Sequence, residues 1–281
     1  MLQALAHRWS EDRVSGLAAE IAFFGLLSVF PGLLALAAGL GSLGSLVGQE
    51  VAADTERAVL RALRDGLGEG SATVDAVGEL FQEQRGGLLT LGLVLALIGL
   101  SRGFAAVIRA LDIAYEVEER RPWWHRRLLA LGLSVVSVVL AVLLLAGFVL
   151  GPLLGSGRDV ADSLGLGREL ATGWDWIRWP VGLVVLVAWA AAMLHVAPNH
   201  RTPWRWDIPG AVLAAGMWVA TSIAFRAFLD LAGEGNQVFG ALGGALILLF
   251  WLYLLGIGIV LGGELNAVLA ARHGVRQELR V

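Results

Sequence analysis

The chain of 281 residues is 57% hydrophobic and only 16% charged, with a formal net charge of −3 and a mean hydropathy of +0.72. A soluble domain carries about 25% charged residues, so an ordinary water-soluble globule is excluded. There is no cysteine, which rules out disulfides and thiol catalysis, and every basic residue is arginine.

Residues 1–16 contain Glu11 and Asp12 and lead into an apolar run too long for a cleavable signal. That first run, 21–48, is expected to direct insertion and remain in place. Five more apolar stretches follow at 86–108, 128–154, 179–197, 208–225 and 238–263. Six such segments predict an all-α, polytopic membrane bundle, with residues 1–281 forming a single integral domain. The uncharged part of the second, 16 residues from Gly86 to Ser101, covers roughly 24 Å at about 1.5 Å per residue. A hydrocarbon core is about 30 Å thick, so Arg102 is expected at or just inside the inner boundary.

An even number of spans puts both termini on one side. With the N-terminus inside, the inner segments hold 13 arginines against 10 acidic residues, and the outer segments 8 against 14. Arginine near span ends marks the cytoplasmic side, which predicts an N-in, C-in topology. Trp123 and Trp124, Trp204 and Trp206, and Trp174, Trp176 and Trp179 lie near span ends, where headgroup-level aromatic belts form. Trp189, Trp218 and Trp251 fit interior packing better.

Pro31 falls about ten residues into the first span. A proline there kinks a helix and frees a carbonyl. The consequence is either a packing kink or a broken helix bordering a cavity. Pro152, Pro180, Pro198 and Pro209 mark span ends.

The outer segment 49–85 shows two amphipathic patterns. Val51, Thr55, Val59, Ala62 and Leu63 oppose Asp54, Glu56, Arg57, Arg61 and Arg64, and Val74, Val77 and Phe81 follow after Gly66, Gly68 and Gly70. Two surface-lying helices are expected, serving as a lid, a docking face for an envelope partner, or a cap over apolar helix ends.

Charged groups at membrane depth are costly and therefore informative. Glu20 lies two turns before Ser28. Arg102, Arg109 and Glu116 recur every seven residues on one helix face, with Asp112 near Arg109. His195, Asn199 and His200 end the fourth span, and Glu264 and Asn266 close the sixth. All are expected on the inner side. They form an ion-pair lock of Arg102 and Arg109 with Glu20 and Glu264, the polar floor of a cavity for an anionic or amphiphilic solute, or a docking surface. Gly240 with Gly244, and Gly258 with Gly262, have the small-xxx-small spacing of close helix packing.

Several stretches together resemble the YihY/virulence factor BrkB family. They are Ala19-Glu20-Ile21-Ala22-Phe23-Phe24-Gly25-Leu26-Leu27-Ser28-Val29-Phe30-Pro31, Ser101-Arg102-Gly103-Phe104 with Asp112-Ile113-Ala114-Tyr115, and Pro198-Asn199 with Trp206 and Pro209-Gly210-Ala211. Val238-Phe239-Gly240-Ala241-Leu242-Gly243, running through Trp251-Leu252-Tyr253 to Gly262-Gly263-Glu264-Leu265-Asn266-Ala267, completes the set. The likeness covers roughly 10–273. Gly25 stands where an aromatic residue is usual, and Leu255 where a small polar one is usual. The resemblance implies a bacterial inner-membrane protein with six spans and no settled biochemistry.

Members of that family have carried the label ribonuclease BN, which the residues do not favour. The five histidines, His7, His125, His195, His200 and His273, form no HxH or HExxH ligand set. Arg120, Arg121, Arg126 and Arg127 follow Glu116, Glu118 and Glu119, which leaves no clean basic face for RNA. Walker A, GxSxG and Rossmann patterns are absent. No enzyme, metal or cofactor is expected, membrane lipids are the expected partners, and oligomeric state is open. Two functions compete: transporter or flippase-like handling of an amphiphilic or anionic envelope solute without an ATPase, and a scaffold recruiting envelope proteins through 49–85.

Overall fold

The computed structural model describes residues 9, 12–47, 57, 61, 86–145, 168–232, 240–273 and 278–279. Six long helices account for nearly all of them: α1 (Val14–Val47), α2 (Gly86–Ala114), α3 (Trp123–Leu145), α4 (Arg168–Val196), α5 (Ile208–Ala232) and α6 (Gly240–Arg272). A 3-10 turn at Trp204–Trp206 precedes α5. A two-residue antiparallel ladder pairs β1 (His200–Arg201) with β2 (Glu278–Leu279). Outer segment 49–85 lies outside the described residues apart from Arg57 and Arg61, both helical; the end of the third predicted span, with Pro152, also lies outside them.

Five windows are long and apolar enough to cross a bilayer: Val94–Ala114, Trp123–Ala141, Trp179–Val196, Ile208–Phe228 and Gly244–Arg272. A shorter apolar stretch, Val14–Val29, lies in α1. The helices outlast the apolar runs that announced them, because backbone hydrogen bonds continue into polar sequence at either end. Thus α2 reaches Ala114, and Arg102 falls inside the Val94–Ala114 window rather than at its edge. Pro180 lies within α4, which starts at Arg168, and Pro31 within α1.

Helix ends follow local chemistry. Glu116 takes a left-handed φ of 53°. Its N–H donates to Ile113 O and the Val117 N–H donates to Asp112 O, each at 2.9 Å. This crossed pair closes the last carbonyls of α2 in a Schellman cap. α3 starts directly after Pro122, whose carbonyl accepts from His125 and Arg126. A proline before the first turn is favoured because its φ is preset and no amide is lost.

The outward faces are apolar. Leu128, Leu131, Val135, Val136, Val139 and Leu143 of α3 are exposed, a surface that is stable against lipid chains and not against water.

The described chain divides into two units. The first comprises 1–12, 111–217 and 258–281, and the second 13–110 and 218–257. In the second, small residues bring backbones together. A Cβ on Gly99 would lie 2.9 Å from the Ser28 Cβ, and one on Gly256 would lie 3.1 Å from the Ala18 carbonyl oxygen. In the first, α5 and α6 touch backbone to backbone: a Cβ on Gly262 would lie 2.6 Å from the Gly210 oxygen. Of the glycines expected to pack, Gly240 opens α6, Gly244 is partly covered, and Gly258 and Gly262 are buried.

Candidate functional site

The first unit gathers its polar side chains where α2 and α4 end and α5 begins. Asn266, on α6, is the node. Its carbonyl oxygen accepts the Gly210 N–H at 2.7 Å, and its amide donates to the Tyr115 hydroxyl at 3.0 Å and the Asp207 carbonyl at 3.1 Å. The Tyr115 hydroxyl donates to Asp207 Oδ1 at 3.3 Å, and Asp207 Oδ2 lies 2.8 Å from His195 Nδ1. Tyr115, Asp207 and Asn266 are all buried. Burial, then the Asp207 carboxylate, raise the Tyr115 phenol well above its ordinary value, so it stays protonated and available as a donor. His195 remains partly exposed and stacks on Trp204, with ring centroids 4.3 Å apart. The Tyr115 ring packs on His200 at 4.2 Å, and His200 Nε2 lies 3.3 Å from Thr202 Oγ1.

A second set of contacts joins segment 112–121 to segment 197–199. The Asn199 backbone N–H donates to Asp112 Oδ1 at 2.8 Å, and its side-chain amide to the Glu118 carbonyl at 3.2 Å. Arg121 donates to both Glu119 oxygens at 2.8 and 2.7 Å and to the Ala197 carbonyl at 2.9 Å. Its guanidinium also lies 3.8 Å from Asp112 Oδ2. Burial alone would raise the Glu119 carboxyl, but the hydrogen bonds and charge of Arg121, helped by Arg126, outweigh it and hold the group below its usual value. A two-toothed arginine–carboxylate contact of this kind is directional as well as strong.

The second unit holds Glu20, Arg102 and Arg109. Arg109 pairs with Glu20 at 3.1 Å, both side chains being partly exposed. Arg102, one face-repeat earlier on α2, is exposed and makes no ion pair among the described residues. Ser28 is buried and donates to the Gly25 carbonyl at 2.6 Å. An open apolar groove of about 360 Å³ is lined by Thr221, Phe225 and Phe228 of α5 and Leu246, Phe250 and Leu254 of α6.

The expected site residues are divided between the two units. Glu20, Ser28, Pro31, Arg102 and Arg109 belong to one unit, and Asp112, Asn199, Glu264 and Asn266 to the other. Glu264 is buried. Sequence reasoning assigned no site role to Asp207, Tyr115, Arg121 or Glu119. Asp207 had a usable signal: an acid directly before Ile208-Pro209, at the start of an apolar helix. Tyr115 carried none, since its partners Asp207 and Asn266 are distant in sequence, whereas Glu119 and Arg121 are only two positions apart and read as part of a mixed-charge connection. Among the described residues, no group of three or more His, Asp or Glu side chains is placed to hold a metal ion.

Comparison with known proteins places the chain. The family model described as Virulence factor BrkB matches residues 5–280. The ribonuclease-like protein YfkH of Bacillus subtilis (strain 168) is 31% identical over 281 residues, covering 99% of this chain and 98% of its own. A UPF0761 membrane protein of Stenotrophomonas maltophilia (strain R551-3) is 26% identical over 99% of this chain and 62% of its own length. Another, of Alkalilimnicola ehrlichii, is 29% identical over 72% and 45%. The chain thus spans nearly all of YfkH but less than two thirds of these two UPF0761 proteins. No solved structure matches. With apolar helices long enough to cross a bilayer several times and a family match over nearly its full length, this chain is a multi-pass membrane protein of the Virulence factor BrkB family.

Proposed function

We propose that this protein is a transporter or flippase-like handler of an amphiphilic or anionic envelope solute, working without an ATPase of its own. The observation that carries the reading is Arg102. It is an exposed cation within an apolar span, with no ion-pair partner among the described residues. A charge at that depth is stable only where it borders water or meets an anionic group. Arg109 lies two turns further, about 10 Å along the same face, and its bond to Glu20 is half open to the surroundings. An anionic headgroup could exchange with Glu20 there. The same unit offers the apolar groove lined by Phe225, Phe228 and Phe250 to an acyl chain, so both halves of an amphiphile have a complementary surface.

The reading assumes six spans in one integral domain, an inner-membrane location and both termini in the cytoplasm, as the arginine asymmetry favours. Its test is transport by Arg102→Ala in proteoliposomes, scored with fluorescent phospholipids and small anions. Loss of one flux with insertion and folding intact supports it. Unchanged transport of every lipid and solute tested removes its basis.

The scaffold reading has an observation of its own. The Asn266 node and the Arg121 clasp are buried and bonded inward, the arrangement of a lock rather than of an open polar floor. Deleting 49–85 should then abolish co-purification of partners without unfolding the bundle. The ribonuclease-like name belongs to YfkH. For this chain we favour no such activity. Metal-dependent RNA degradation by the purified protein, lost in His195→Ala, would reverse that view.

A further inference from the structure

The clasp between segments 112–121 and 197–199 has a consequence at the surface. One of the two segments it joins leads directly into the start of α3, and the other into the turn before α5. Three tryptophans there are open to the surroundings: Trp123 at 77%, Trp124 at 53% and Trp204 at 50%. Arg126, Arg127 and Arg205 are exposed among them. The neighbouring acids are largely engaged. Glu119 is held by Arg121 and Glu118 by Arg120. Arg126 acts on Glu119 only through space, and Arg205 lies over the Trp206 ring at 5.9 Å. The first five residues of α3 include His125, Arg126 and Arg127 and no acid, although a helix start is the positive end of the macrodipole. Cations there repel the helix unless an anion sits between them.

We propose that this surface is a binding site for anionic phospholipid headgroups, with Arg126, Arg127 and Arg205 taking the phosphate and Trp123, Trp124 and Trp204 lying in the glycerol layer. The occupant is a lipid rather than a dissolved anion or a nucleic acid because the apolar surface is continuous. Leu128 and Leu131 follow the tryptophans on α3, and Ile208 and Val212 follow Trp204 on α5, all exposed. An indole beside that surface is stable at the edge of a hydrocarbon layer, whereas free phosphate or RNA offers it no apolar cover. Clustered arginines next to a span attract anionic lipid at about five-fold in affinity per residue.

The test uses the full-length protein in detergent, titrated with phosphatidylglycerol or phosphatidylcholine, reading thermal protection and retained lipid by native mass spectrometry. Phosphatidylglycerol is expected to bind and protect more than phosphatidylcholine, and its advantage should shrink as salt rises. Combined Arg126→Gln, Arg127→Gln and Arg205→Gln should raise its half-saturating concentration by at least about five-fold and up to about two orders of magnitude. Arg120→Gln, whose charge Glu118 already meets, should leave it within about two-fold. The proposal is overturned if the folded triple variant binds phosphatidylglycerol like the parent, if phosphatidylcholine protects equally, or if inorganic phosphate or a short RNA protects equally. Should the triple variant fail to fold, the salt titration of the parent decides: an advantage that persists undiminished at high salt also overturns it.

Discussion

Replacing Asn266 by alanine tests whether the buried node holds the first unit together. Three hydrogen bonds disappear, to Gly210, Tyr115 and Asp207. At about 1 kcal/mol net each, these account for about 3 kcal/mol. The Gly210 N–H is then left in a closed backbone contact with α6, where an orphaned donor costs about 1–3 kcal/mol more. The expected loss is therefore about 4–6 kcal/mol, or about 8–12 °C at about 2 °C per kcal/mol for a long chain. Thermal unfolding in detergent, followed by intrinsic fluorescence and by aggregation, measures it. Tyr115→Phe alone removes a hydroxyl with one good and one long bond and should cost about 1 kcal/mol. Because the two residues share a bond, the double variant should be milder than the sum by about 1 kcal/mol. An Asn266→Ala protein melting within about 2 °C of the parent, or strict additivity with Tyr115→Phe, would refute the claim that the node acts as one unit.

The two arginine–carboxylate contacts should respond very differently. Arg121→Ala leaves Glu119 and the buried Asp112 without their cation and should cost about 3 kcal/mol, while Glu20→Gln, at a half-exposed pair, should cost at most about 1 kcal/mol; thermal melts rank them. Since the Glu119 carboxyl is held below its ordinary value, the folded state binds its proton more weakly than the unfolded state. Its contribution is full above the usual carboxylate range and is lost as pH falls through the lower folded value, so Glu119→Gln should flatten the acid limb of a melting-temperature profile and leave neutral pH comparatively unchanged in slope. Gly210→Ala drives a methyl into the Gly262 carbonyl and Asn266 and should fail to fold or melt far lower. Gly216→Ala, in the interior of α5 with nothing within 4 Å of the new carbon, should be neutral or stabilise by up to about 1 kcal/mol. The cysteine-free background permits sided labelling: Arg120→Cys should react with an impermeant maleimide only from the cytoplasmic side and Glu56→Cys only from the outside, and reaction of both from one side would reject the N-in, C-in topology.

What the sequence disclosed, and what it hid, follows from the range of each interaction. Apolar runs were legible because a bilayer demands an unbroken length of them, and five windows of that kind lie on described helices. Helix ends were not, because 168–178 and 109–114 extend α4 and α2 through charged residues such as Arg168, Glu169, Asp175, Arg109 and Asp112, which interrupt an apolar run without ending a helix. The seven-residue spacing of Arg102 and Arg109 located a common face and named Glu20 and Glu264 as candidate partners, and the fold pairs Arg109 with Glu20. The node was invisible for a plainer reason: Tyr115 and Asn266 are 151 positions apart, and Asn199 and Asp112 are 87 apart. No local pattern encodes a contact at that separation.

One energetic rule separates the two sets of polar groups. Taking a polar group out of water costs several kcal/mol unless its hydrogen bonds are replaced. In the first unit, Asn266 makes three of the four hydrogen bonds its amide can form, and Arg121 finds two carboxylates and a carbonyl. Groups engaged in this way hold protein segments together, which is why mutation there should read out as stability. Arg102 is the opposite case. Its guanidinium has five donors, and no protein acid among the described residues meets it. A cation kept in that condition inside an apolar span makes the bundle less stable than a leucine there would. Contact with water or with an anionic group from a solute offsets that cost. Arg102→Leu should therefore raise the melting temperature in detergent while lowering transport, and an arginine retained for folding alone would show the reverse sign in the first measurement.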